Sequence, residues 1–176
     1  MSGFLRFINI INAAIWFGAG IFFTAGILPA VFSHDLHVLF GESGYPYFSG
    51  AVALILFKRF FALQYICGGV ALFLLLAEKF YTGRKLPGAG TTLVLVMFGF
   101  GLIGGLWLQP KMQTLRGTMY SSQPAEVREK ARHSFGIWHG TSLLANFVVL
   151  GGLLAHLVRV TRPPEQSRYG TFYQIP

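Results

Sequence analysis

Residues 132–152 read Arg132-His-Ser-Phe-Gly-Ile-Trp-His139-Gly-Thr-Ser142-Leu-Leu-Ala-Asn146-Phe-Val-Val-Leu-Gly-Gly152. After Arg132 the stretch holds no Lys, Arg, Asp or Glu. It is long enough for a helical membrane span, which needs about 20 mostly apolar residues. Yet it carries His139, Ser142 and Asn146. At about 100° per residue, steps of three, four and seven return to one helix face. Arg132, His139 and Asn146 follow one another at intervals of seven, with Ser142 between the last two. The spacing predicts a membrane helix with one polar face, the strongest pointer to function in the chain.

The rest of the chain has the same character. It is 53% hydrophobic and 11% charged, with a mean hydropathy of +0.56. A soluble domain carries roughly 25% charged residues. Four spans are expected at about residues 7–32, 60–81, 90–109 and 133–159, in one transmembrane domain over residues 1–160. Each must be helical, because backbone groups exposed to lipid have no water to bond. The first span has no charge between Arg6 and Asp35. That is far longer than the roughly 7–15 apolar residues of a signal peptide, so it reads as a retained helix. Residues 45–57 are apolar but end at Lys58-Arg59, which predicts an interfacial or protruding helix before span two. The fold class expected is all-α, an integral membrane four-helix bundle. The charged residues 126–132 form an extramembrane extension of span four. Residues 161–176, with two adjacent prolines and no period, form a loose tail.

The net charge of +8 comes from Lys and Arg at the span ends, so the lipid bilayer is the expected partner and nucleic acid is not. Orientation is a tie. Arg6, Lys79, Arg84, Lys85, Arg159, Arg162 and Arg168 fall on the side of the termini, and the other seven of the 14 basic residues on the opposite side. The free amino terminus tips the expectation towards cytoplasmic termini. The single cysteine, Cys67, excludes an internal disulfide and reads as a packed thiol beside Gly68-Gly69.

In span one Asn9, Asn12 and Trp16 share a face, which suits hydrogen bonds to another helix or a polar pocket shared with span four. Pro29 is expected to close or kink that span. The connector holds His34-Asp35-x-His37 and Glu42. With His139, these two histidines are the only weak metal candidates, and their spacing matches no firm motif. Residues 82–88 predict a tight turn joining antiparallel spans two and three. Gly101 and Gly105 form a GxxxG row for close helix packing, and Gly136 and Gly140 form a second one. Gln109-Pro110 marks the expected end of span three. Ser121 to Glu126 predicts a serine-capped helix start with Pro124 in its first turn. His156 is expected at the membrane interface.

The pattern Arg132-x-x-Phe135-x-x-x-His139-Gly140-x-Ser142-x-Leu144-x-Asn146 resembles that of the transmembrane protein 205-like family. Trp107-Leu108-x-Pro110 and the first span, with Trp16 and Pro29, are similar to it as well. The likeness covers about residues 7–158; His133 and the connector histidines stand outside it. The resemblance implies a four-helix membrane bundle described as a domain of unknown function, and no activity.

No Ser/His/Asp set, HExxH, CxxC or phosphate loop occurs. A bis-histidine haem would need a second histidine on a facing helix, and spans one to three contain none. No cofactor is expected. The preferred reading is a non-enzymatic accessory or transport-related module, in which Arg132, His139, Ser142 and Asn146 bond across to Asn9, Asn12 and Trp16. The alternatives are a metal- or haem-binding redox subunit and a self-assembling channel. Other membrane subunits or a second copy of the chain stay open as partners.

Overall fold

The computed structural model describes residues 3–82 and 88–162, with the backbone alone at Thr82. The turn expected at 82–88 falls on residues 83–87 between two helix ends, and these, with the tail beyond Arg162, lie outside the described residues. Four helices form the fold: α1 (Gly3–Val31), α2 (His34–Thr82), α3 (Gly88–Met119) and α4 (Ala125–Thr161). All four are long and apolar enough to cross a membrane. They run antiparallel in the ring order α1, α2, α3, α4 and back to α1. Arg6 closes the ring. Its guanidinium donates to the carbonyls of Thr161 (3.2 Å) and Arg162 (2.8 Å), among the groups a helix C-terminus leaves unpaired.

The core is narrow. Trp16, Cys67, Ala71, Val94, Met97, Val149 and Leu153 are its buried members. Small residues bring the helices together: a Cβ at Gly20 would stand 2.8 Å from Leu150, and one at Gly152 3.0 Å from the Met97 sulfur. Large apolar side chains such as Phe4, Phe73, Leu106 and Leu144 point outward and are exposed. A continuous apolar exterior of this kind marks a surface made for lipid.

Two helices widen at the same level. α1 contains a π turn at Phe22–Ile27 and α3 one at Gly104–Leu108. Each is followed by a proline, Pro29 and Pro110, in the first positions of the resumed α-helix. A proline lacks an N–H and crowds the carbonyl four residues back, and a wide turn absorbs that conflict without ending the helix. α1 ends at Val31, two residues beyond Pro29 and near the expected end of the first span. The expected helix end at Gln109-Pro110 is corrected, since α3 continues to Met119.

Residues 45–57 are a continuous part of α2 rather than a separate helix. The one break is at Gly41 (φ 70°, ψ 161°), a conformation that favours glycine. Ser33 caps α2 by accepting from the Leu36 N–H (3.4 Å). By contrast α4 has Pro124 at its N-cap and no side-chain cap, which corrects the expected serine. The Ser121 hydroxyl instead donates to the Thr118 carbonyl (2.8 Å).

The extensions of α3 and α4 pack together, burying Met112 and Ala131. Lys111 lies between two tryptophans, its Nζ 5.1 Å from the Trp107 ring and 4.1 Å from the Trp138 ring. On the other flank Phe23 stacks on Phe60 (4.2 Å) and meets Phe57 edge-on (5.0 Å). This register sets the exposed Lys58 and Arg59 of α2 beside the uncharged middle of α1.

Candidate functional site

Where α1 and α3 widen, the helices part around a cavity of about 620 Å³, with a smaller one of about 90 Å³ below it. His139, Ser142 and Leu143 of α4 line both, as do Phe57 and Phe61 of α2. The walls are mostly apolar, and six polar side chains stand out in the larger space: Thr24, Gln109, Arg116, Tyr120, His139 and Ser142. Gln64 and Asn146 line the smaller one.

Most of these groups have partners. The Gln109 amide donates to the Leu54 carbonyl (3.3 Å). Arg116 donates to the Tyr47 carbonyl and lies against the rings of Tyr47 (5.1 Å) and Tyr120 (5.7 Å). The Ser142 hydroxyl donates back to the His139 carbonyl (2.7 Å), within its own helix. The Asn146 amide donates to the Thr24 hydroxyl (2.9 Å). His139 stacks on Phe135 with centroids 6.0 Å apart and planes 6° apart, and its ring nitrogens meet no protein donor or acceptor among the described residues. The cavity thus holds the His139 imidazole open to a guest, and the Ser142 hydroxyl turns to the backbone rather than to that ring, so no nucleophile–base pair forms among the described residues.

The polar face expected on span four comes together only in part. His139, Ser142 and Asn146 line the cavities, whereas Arg132 stands outside them and reaches Glu129 (4.0 Å) on the exposed extension. Asn12 and Trp16 form a separate group turned towards α2, while Asn9 is buried with its Oδ1 unpaired. The Asn12 amide donates to the Cys67 carbonyl (3.0 Å), and the Trp16 indole N–H donates to the Gln64 side-chain oxygen. Register explains the separation. Asn146 faces Thr24, and Thr24 lies twelve residues beyond Asn12, about 18 Å along α1. Gln64 and Thr24 were missed as site residues. The signal was present for Gln64, the only amide between Arg59 and Glu78.

Gly101 and Gly105 face α2: a Cβ at Gly101 would stand 3.8 Å from Gln64, and one at Gly105 would collide with the Tyr65 hydroxyl. Gly136 and Gly140 meet nothing within 4 Å, so that second row makes no close contact within the chain. His34 and His37, at the start of α2, have rings 6.4 Å apart and line neither of the two cavities that His139 borders. Among the described residues no group of three or more His, Cys, Asp or Glu side chains could hold a metal ion.

His156 is buried against its neighbours at 4% exposure, and both of its ring nitrogens lack a protein partner. The same is true of Asn9 Oδ1 on the facing helix. An apolar side chain of similar volume removes such a group without orphaning another. His156→Leu is therefore expected to leave thermal unfolding in detergent unchanged or raise it. A clear loss of stability would mean that the imidazole holds a bound partner such as water.

A ring of four long apolar helices with an apolar exterior is the architecture of a multi-pass membrane protein. The chain belongs to the family described as a domain of unknown function, DUF4149, which matches residues 11–121. That match covers most of α1 and all of α2 and α3, and stops before α4. No curated protein and no solved structure matches the chain.

Proposed function

We propose that the chain is a non-enzymatic accessory or transport-related membrane module whose working part is the cavity between its helices. One observation carries this reading. A space of about 620 Å³, apolar and bordered by a few polar groups, stands open in a protein with a narrow core. Ligand sites have about this size, roughly 300–1,000 Å³, and this balance of surface. The lack of a nucleophile–base pair favours holding a guest over transforming one. The α4 pattern from Arg132 to Asn146 supports kinship, within the DUF4149 family, with the transmembrane protein 205-like proteins.

The test is native mass spectrometry of the protein released from lipid nanodiscs. A co-purified small molecule is expected on the unsubstituted protein. It should be absent from Leu143→Trp, which places an indole in the cavity from α4. A folded protein that carries nothing, or equal retention by the tryptophan variant, refutes the reading.

A further inference from the structure

We infer that the cavity binds an acyl chain with a carboxylate head drawn from the bilayer, the head at Arg116 and the chain running inward towards Gln64. This rests on the guest-binding reading above and names the guest. Arg116 borders the larger space, half-buried, and no carboxylate pairs with it among the described residues. Its partners are neutral: the Tyr47 carbonyl and two phenol rings. A guanidinium has five donors, so most stay available, and its planar fork matches a carboxylate in geometry and in charge.

Arg116 is also built into place. A Cβ on Gly50 would stand 2.7 Å from its Nε and 3.2 Å from its Cζ, so the glycine makes the seat for the guanidinium against α2. The polarity of the cavity follows that of a membrane lipid. Arg116 lies at Tyr47, on the outer part of α2, and the smaller space reaches Gln64, deeper in the bundle. From Tyr47 to Gln64 is 17 residues, about 25 Å of helix. That length exceeds half of the roughly 30 Å hydrocarbon core, and the two spaces, which share Phe57, Phe61, His139 and Ser142 in their linings, follow it below the head. Phenylalanines 57, 61 and 147 wall this course, and His139 and Ser142 sit part-way along it.

The experiment uses the full chain in nanodiscs of neutral lipid, photolabelled with a diazirine-bearing fatty acid or with the matched fatty alcohol. Labelled peptides are then mapped. The acid is expected to label Leu54, Phe57 and Met112, which line the cavity without being exposed, about tenfold more than the alcohol does, as a charge-assisted contact implies. Arg116→Gln should bring the acid down to the level of the alcohol, Arg116→Lys should keep part of the preference, and Arg128→Gln, on the exposed extension, should change nothing. If acid and alcohol label the cavity equally, the carboxylate assignment fails while the guest-binding reading stands. If adducts fall only on outward residues such as Leu144 and Ile137, both fail. Should Arg116→Gln not fold, the acid-to-alcohol ratio on the unsubstituted protein decides.

Discussion

Trp16→Ala is expected to destabilise the bundle by about 3–5 kcal/mol, the range for deleting a buried aromatic side chain. Trp16 is 1% exposed and sits in the core with Cys67, Met97 and Leu153. In a membrane the loss is of a particular kind. Lipid tails are as apolar as the core, so helices are held by close packing and interhelical hydrogen bonds rather than by expulsion of water. Removing the indole deletes both, because its N–H also donates to Gln64. Trp16→Phe separates the two contributions. It keeps most of the ring and leaves Gln64 without its donor, a loss that averages about 0.6 kcal/mol in membranes. Thermal unfolding in detergent, with a double-mutant cycle against Gln64→Leu, reads both quantities. An alanine variant that unfolds at the temperature of the parent would remove Trp16 from the core described above.

The second large effect is expected at the α2–α3 seam. Gly105→Leu should cost about 1–3 kcal/mol or more, as overpacking does. The new side chain meets the Tyr65 hydroxyl and Phe61, and Gly104 has Phe61 2.7 Å from its Cβ position, so the aromatic rings have little room to retreat. Gly68 is equally confined, by Phe98 on α3. The contrast lies on α4. Gly136→Leu and Gly140→Leu meet open space and should shift stability by no more than about 0.5 kcal/mol. Both rows are GxxxG, so the comparison asks whether contact or motif governs the response. Unfolding temperatures of the purified variants answer it, and equal losses in the two rows would show that motif outweighs the contacts.

Long apolar runs between charges made the four spans legible, since bilayer thickness imposes their length. Helix ends were less so. Pro29 and Pro110 are strong breakers in water, but in these helices a π turn accommodates each of them. The polar face of α4 could be read from its sevenfold spacing, because helical period is a local property. Its partners could not. They depend on the register between helices, and register set Asn146 against Thr24 and left Asn12 and Trp16 to α2. Arg116 was hidden for a related reason. In sequence it is one cation among several near a span end, and only the approach of α2 at Gly50 and Tyr47 turns it towards the cavity.

The placement of Lys58 and Arg59 beside the uncharged stretch of α1 has a mechanical consequence for the surrounding lipid. On α2 the uncharged run between Arg59 and Glu78 spans 18 residues, about 27 Å; on α1 the apolar run over residues 7–32 spans 26, about 39 Å. α4 adjoins α1 and is tall as well, apolar from Phe135 to Val158. No flat bilayer matches both heights. The sheet must thicken along the α1–α4 flank, thin along the α2 flank, or let the whole bundle lean, each at a fraction of a kcal/mol per ångström of mismatch. A bundle with flanks of unequal height is a wedge, and reconstitution into bilayers of increasing thickness is expected to change how steeply it stands.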